Sequence, residues 1–334
     1  MKLKFGIIGT GLIANTHVKA LASLDEAELI GCADAVPGRA EAFAAPLGIR
    51  AYPDAEALLS DESIDAVCIC TPSGYHCENA LAALSHGKHV VLEKPMALDC
   101  ASADRITAAC REYGKHLTVI CQNRFADSVR YVRSLVLQNA FGRISMCSLY
   151  MKFWRDESYY QANPWRGTKK LDGGGALMNQ GIHGVDMLQY LVGGMTVTAA
   201  QARTMTHRIE VEDTVNALLT FENGAVGVIE ASTCAFPGFD RRIEILGDRG
   251  HIILRDTEPE SLVIQGEVIP CAQKKNAGEA AANPSVSDCT LHARQICNLI
   301  DAVNGRCPLV VDAEEGRKAV RIIEDVYRLA YGNK

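Results

Sequence analysis

The sequence predicts an α/β protein, a doubly wound parallel sheet followed by a second α/β domain with a large, mostly antiparallel sheet. Two patterns carry this expectation. Up to about residue 121, short apolar runs alternate with segments of helical period, the mark of βαβ units and a parallel sheet. From Val197 to Ile264, strand-like runs follow one another, separated by Glu222-Asn223-Gly224, Pro237-Gly238 and Gly247-Asp248-Arg249-Gly250. Those are hairpin signals, which suit antiparallel neighbours. The change of texture sets a domain boundary near residue 122, giving domains 1–122 and 123–334.

The first domain opens on the apolar run Leu3–Ile8, followed by helical spacing over Leu12–Leu24. Ala27–Ala33 is the second strand and Arg39–Leu47 the next helix. Asp54–Leu59 makes a short helix before the buried strand Ala66–Cys70. Cys77–Ser85 and Ala101–Tyr113 are helices, His89–Leu92 and Leu117–Cys121 strands. These strands are near-continuous apolar runs, as expected when helices cover both faces of the sheet. Val129–Asn139 is helical and Arg143–Phe153 a long strand. A glycine- and aromatic-rich stretch, Trp154–Gly175, leads into a helix reaching about Leu191. Lys274–Ser287 reads as a loop. Helices over Asp288–Asn304 and Asp312–Tyr331 follow, the last of which is expected to pack back toward the N-terminal domain.

The chain has 334 residues, 48% hydrophobic and 22% charged, with a formal net charge of -6. It can bury a large core, which excludes disorder and a disulfide-stapled miniprotein. It is not basic enough to imply a nucleic-acid or anionic-membrane partner. No run approaches the roughly 20 apolar residues of a membrane span. The 13 cysteines form no CxxC pair and read as buried or idle thiols of a protein in the reducing cytoplasm.

Gly9-Thr10-Gly11-Leu12-Ile13-Ala14 lies between the first strand and the first helix. In a G-x-G-x-x-G/A turn the first glycine makes the bend. The second lets a pyrophosphate approach, and the small last residue packs helix on strand. Free N–H groups at the helix start hold the phosphates. Asp34 ends the second strand, 23 residues beyond Gly11, near the ~20 expected of a ribose-binding acid. Its carboxylate accepts from a 2′-hydroxyl and repels a 2′-phosphate, so NAD is favoured over NADP; Arg39 is the counter-signal. Thr71, Pro72, Ser73 and His76 follow the strand at Ala66–Cys70. Ligands bind beyond such strand ends, so these residues line the cofactor, with Ser73 a helix cap in the plainer reading.

Glu93-Lys94-Pro95 follows the strand at His89–Leu92, at the same sheet edge, which places Glu93 and Lys94 at the cofactor. An ammonium there can hold a hydroxyl and exchange a proton. In the second domain, Asp172-Gly173-Gly174-Gly175 opens a helix carrying Asn179, His183 and Asp186. Asn179 and His183, at i and i+4, share a helix face, and Asp186 can orient the His183 ring. Two such residues with no third ligand do not make a metal site, and no metal is expected.

Together these motifs, with Asn123-Arg124-Phe125, resemble the glucose–fructose oxidoreductase/inositol dehydrogenase (Gfo/Idh/MocA) family along nearly the whole chain. The resemblance implies an N-terminal Rossmann domain, a second domain with a large mostly antiparallel sheet, and an active site between them. It implies hydride transfer between a nicotinamide and a carbinol carbon of a sugar, nucleotide-linked sugar or cyclic polyol. It further implies a homodimer or homotetramer. Lys94 would bind and polarise the reacting oxygen, and His183 would carry the proton, its ordinary pKa of about 6.5 suiting that task. Many family enzymes have Asp where this chain has Asn179. Asn179 cannot ionise, so it would orient a hydroxyl or the amine; it resembles the branch that handles nucleotide-linked or glycosidic sugars. In the same sense Arg166 would hold a cofactor or substrate phosphate and Trp165 would pack on the nicotinamide or a sugar ring, a structural loop packed by Trp165 being the plainer reading; Arg124 and Tyr160 would meet substrate. For Arg124 a structural interdomain salt link is the preferred reading. A dinucleotide-binding sensor without chemistry is the alternative function. It needs the glycine turn but neither Lys94 nor His183, and their joint presence favours an enzyme.

Overall fold

The computed structural model describes residues 2–271 and 288–332. The expected loop at Lys274–Ser287 lies outside the described residues. The chain divides into two units, 1–122 with 287–317, and 123–286 with 318–334. The second domain is therefore not the continuous 123–334 of the sequence reading. A segment some 165 residues downstream of the first break belongs to the first unit. The division passes through the last helix, between residues 317 and 318.

In the first unit the strands are β1 Leu3–Ile8, β2 Ala27–Ala33, β3 Arg50–Ala51, β4 Ala66–Ile69, β5 His89–Leu92 and β6 Leu117–Val119. Their order is β3-β2-β1-β4-β5-β6, and every pair is parallel. The order reverses between β1 and β4, and that switch point is where open α/β sheets bind ligands. The helices are α1 Ala14–Ala22, α2 Arg39–Ala44, α3 Ala55–Leu59, α4 His76–Ser85 and α5 Cys100–Tyr113. The Asp54 and Asp99 carboxylates cap α3 and α5 by accepting from Ala57 N–H and Ser102 N–H, each at 2.7 Å. All four residues of β4 are buried, which is why the strand is written in apolar residues alone.

The core of this unit gathers Phe5, Ile7, Cys32, Ala66, Cys68 and Val91 with Ile296, Leu299 and Ile300. The last three come from the helix Thr290–Val303. Gln295 ties that helix to the β6 edge. Its amide donates to Thr118 Oγ1 at 2.9 Å and to the Val119 carbonyl at 2.7 Å, and its oxygen accepts from Cys121 N–H at 3.0 Å.

The second unit holds α6 Asp127–Leu137, β7 Ile144–Lys152, α7 Glu157–Gln161 and α8 Ile182–Val192. It continues with β8 Met195–Arg203, β9 Thr214–Phe221, β10 Val226–Ser232, β11 Arg242–Gly247, β12 Gly250–Arg255, β13 Glu258–Ile264 and β14 Glu267–Ile269. The sheet order is β14-β13-β12-β11-β7-β10-β9-β8. Only β7 and β10 pair in parallel; the other pairs are antiparallel. Burial alternates along β9, the period of a sheet with one covered face. Leu149, Ile229, Ile243, Ile245, Ile252 and Leu254 form the buried side. Thr290–Val303 is α9 in chain order, and α10 is Ala313–Tyr331.

Candidate functional site

In the first unit the glycine turn leaves β1 through Gly9, whose φ is +91°. A Cβ there would sit 2.9 Å from the Cys70 and Thr71 backbone, so both the angle and the space demand glycine. A Cβ at Gly11 would meet nothing within 4 Å. That face is open to a pyrophosphate. The first turn of α1 has no side-chain cap; its Ala14, Asn15 and Thr16 N–H groups bond back to the Gly11, Leu12 and Ile13 carbonyls, so an anion would meet the N–H groups of the glycine turn just before it. Leu12 beside it is 62% exposed, whereas Ile13 packs against the core.

Asp34 stands over the turn. Its Oδ2 accepts from Thr10 N–H at 2.7 Å and Thr10 Oγ1 at 2.8 Å, and its Oδ1 from Val36 N–H at 2.9 Å. Burial works to raise this carboxyl, but those hydrogen bonds and the charge of Arg39 outweigh it and lower its pKa. The site presents a fixed anion where a ribose would lie. Glycine turn, open approach and ionised acid together fit a dinucleotide without a 2′-phosphate.

Thr71 and Pro72 leave β4 as expected, but Ser73 is buried in a short 3-10 turn, Ser73–Tyr75, and caps no helix. His76 is 1% exposed and offers no face to a cofactor. Its Nδ1 lies 2.6 Å from the Pro95 carbonyl and its Nε2 2.9 Å from the Thr71 carbonyl, so it braces the two loops. Glu93, expected at the cofactor, is also buried. Its Oε1 lies 2.8 Å from His17 Nε2, and its Oε2 accepts from Lys94 N–H at 3.2 Å. The Lys94–Pro95 bond is cis. Lys94 itself is half-buried at the carboxyl edge of the sheet.

In the second unit the segment carrying Asn179 departs from expectation. Ala176–Gly181 is a π-helical turn, and α8 begins only at Ile182. The cause lies upstream. Gly175 packs so closely that a Cβ would lie 1.9 Å from the Glu212 carbonyl oxygen. That carbonyl accepts from Ala176 N–H at 3.0 Å, and the Glu212 carboxylate accepts from Gly175 and Leu177 N–H. Glu212 thus occupies donors of the opening turn, which widens; such π turns recur at functional sites. Asn179 and His183 straddle the π–α junction rather than one regular helix face.

Asn179 donates to Asp172 Oδ1 and accepts from Gln180 Nε2 at 2.8 Å. Asp172 Oδ2 accepts in turn from Gly167 N–H at 2.8 Å. Gln180 also donates to Tyr159 Oη at 2.7 Å and accepts from Arg155 at 3.0 Å. The Arg166 guanidinium lies 3.9 Å from the Tyr159 ring centroid, and Arg155 5.4 Å from the same ring. Trp165 flanks Arg166 at 5.4 Å. Arg166 Nε is buried without a hydrogen-bond partner. Burial, and the like charge of Arg166, pull the Arg155 pKa down. Two cations share one tyrosine, an arrangement that an anion would relieve.

Asp186 does not turn toward His183. It receives Arg124 through Nε at 3.0 Å and Nη2 at 2.6 Å, with Tyr190 stacked 4.7 Å away. Arg124 is 1% exposed. It serves packing rather than substrate, and its ion pair lies inside the second unit, not across domains. Tyr160 is buried too, its hydroxyl 2.9 Å from Thr233 Oγ1. His183 is half-buried at the start of α8. Sequence reasoning missed Arg155, Tyr159, Asp172 and Gln180. The doublet Tyr159-Tyr160 between two arginines was the available signal.

Comparison with known proteins agrees with this fold. The description "Oxidoreductase family, NAD-binding Rossmann fold" matches residues 3–121, and "GFO/IDH/MocA C-terminal domain" matches residues 129–253. The scyllo-inositol 2-dehydrogenase (NAD(+)) of Bacillus subtilis is 31% identical over 268 residues, 76% of this chain and 72% of that protein. The myo-inositol 2-dehydrogenase of Thermotoga maritima is 28% identical over 271 residues, 79% of each. The WlbA dehydrogenase of Bordetella pertussis, solved with NADH and UDP-GlcNAcA, is 32% identical, with TM-score 0.88 over 99% of this chain and 97% of that one. Its counterpart from Chromobacterium violaceum, solved with the same two ligands, is 30% identical, with TM-score 0.88 over 98% and 94%. The chain belongs to the Gfo/Idh/MocA family of NAD-binding oxidoreductases.

Proposed function

We propose that this enzyme oxidises a ring hydroxyl of an anionic, nucleotide-linked sugar, with Lys94, Asn179 and His183 as its working side chains. The Gly9–Ile13 turn and Asp34 would hold NAD, which would supply the hydride acceptor. Lys94 donates a hydrogen bond to the reacting oxygen and favours its alkoxide character. His183 takes the hydroxyl proton, and Asn179, fixed by Asp172 and Gln180, orients the sugar. Arg155 and Arg166 receive a phosphate or carboxylate.

The observation that carries the reading is Lys94 on the carboxyl edge of the NAD sheet, backed by a buried carboxylate. The anionic substrate is supported by the two guanidiniums on Tyr159 and by the UDP-GlcNAcA bound to the WlbA relatives. A free cyclic polyol is the second reading, favoured by the inositol dehydrogenases among the relatives. Among the described residues no helix is long and apolar enough to cross a membrane. None of the 13 cysteines forms a disulfide, in keeping with the reducing cytoplasm we propose; a homodimer or homotetramer completes the proposal.

The test is absorbance at the reduced-nicotinamide band with UDP-GlcNAcA, free hexuronate and scyllo-inositol, each with NAD and NADP. Turnover is expected with the UDP-sugar and NAD. Turnover with inositol alone moves the assignment to the polyol reading. Lys94→Ala is expected to lose about 10²–10⁴-fold in kcat, the worth of a positioned acid–base group. Survival within a few fold removes Lys94 from the mechanism.

A further inference from the structure

Behind Lys94 lies a buried group that no step above uses. Glu93 Oε1 is 2.8 Å from His17 Nε2 on α1 and 3.8 Å from His292 Nε2 on α9. All three side chains are at most 7% exposed. Cys68 and Cys70, on and just past β4, border His17, and Asp288 lies near His292. Lys94 on the same turn and His76 from α4 complete the charged surroundings. The three donors are close enough to suggest a metal, but a metal does not suit the spacing. Ligand atoms sharing a tetrahedral zinc at about 2.0–2.1 Å sit roughly 3.3 Å apart, and His17 Nε2 and Glu93 Oε1 are already at hydrogen-bond distance. A proton joins them.

We infer that His17 is a positioning residue: it fixes the Glu93 carboxylate, which in turn holds the Lys94 backbone and places a negative charge near its ammonium. This rests on the role given to Lys94 above. The carboxylate divides its two oxygens between His17 and the Lys94 N–H, with the neutral His292 ring packed 3.8 Å from the first. One rigid group therefore sets both the path of the chain at Lys94 and the field there. Burial acts to raise the Glu93 carboxyl, but the hydrogen bond and charge of His17 bring it down to about 2. Burial likewise opposes charge on His17, and the neighbouring Cys70 and Cys68 sulfurs carry its pKa upward. Burial takes His292 down to about 4, so it stays neutral.

The test compares Glu93→Gln, His17→Gln and Lys94→Ala in the full chain, with UDP-GlcNAcA and NAD. Glu93→Gln and His17→Gln are expected to lower kcat by about 10–100-fold while NAD affinity stays within about threefold. The double variant falls no further than the worse single one, because the two residues act as one unit. Without the carboxylate the ammonium loses a negative neighbour, so the Lys94 titration, followed by NMR after ¹³C-methylation, moves to lower pH in Glu93→Gln. That readout needs no turnover, and Glu93→Gln alone decides if His17→Gln does not fold. An unchanged titration with kcat within threefold overturns the inference, as does loss of NAD affinity in step with kcat. Full activity in Lys94→Ala overturns the reading of Lys94 itself, and is told apart because only that variant tests it.

Discussion

Single residues divide here into those whose chemistry is local and those whose partner is distant in sequence. Asp34 is of the first kind. Strand, glycine turn and acid lie within one βαβ unit, so the spacing exposes it. Hydrogen bonds to charged groups are worth about 1.5–3 kcal/mol. Asp34→Ala should therefore reduce kcat/KM for NAD by about 10–150-fold. With Arg39 left in place, the NAD to NADP ratio of kcat/KM should shrink by at least tenfold; an unchanged ratio removes Asp34 from cofactor selection. Lys94, Asn179 and His183 were legible as motif residues. His17 and Glu93 are 76 positions apart, and nothing local in either segment announces the pair. His76 misled for a related reason: its neighbours are two backbone carbonyls, which no side-chain pattern records.

Elements were legible where burial imposes a period. The strands β1, β2, β4 and β5 stand out because both faces are covered, and β9 because only one is. The two-residue β3 and the five-residue α7 are too short to show a period. The π turn at Ala176–Gly181 was hidden because its cause, Glu212, arrives from another strand connection. The joint between the 3-10 turn Gln122–Phe125 and α8 yields an element-scale prediction. Arg124 and Asp186 are both at most 2% exposed. Arg133 on α6 adds a hydrogen bond to the Leu191 carbonyl at 2.9 Å. Breaking a buried pair from one side costs about 3–5 kcal/mol. Arg124→Ala should lose that much in urea unfolding, and a loss below about 1 kcal/mol would show that the pair contributes little.

At the scale of the whole molecule, the Glu93–His17 pair makes stability two-sided in pH. The Glu93 carboxyl is depressed from its ordinary 4.5 to about 2. Its contribution is full above pH 4.5 and disappears as pH falls toward 2, a loss on the order of 3 kcal/mol. His17 is raised above its ordinary 6.5. Its share is full below that value and disappears as pH rises through the higher folded value. Denaturant midpoints at pH 3, 7 and 9 should peak near neutrality, and Glu93→Gln should flatten the acid limb. An acid limb identical in the variant assigns it to other carboxylates. The two-part organisation was legible as a change of texture near residue 122. The return of residues 287–317 to the first unit was not, because helical period does not say which sheet a helix will cover.

That return has a consequence for how the protein is made. The first 122 residues leave the ribosome early, yet α9, with Ile296, Leu299, Ile300, Gln295 and His292, belongs to the same unit. Another 195 residues, from 123 to 317, must be synthesised before that unit can close. At about 5–20 residues per second, the nascent NAD sheet waits roughly 10–40 seconds with one flank of its core uncovered. Chaperone protection of that flank, and intolerance of a stop codon placed before α9, follow from the chain's route through the fold.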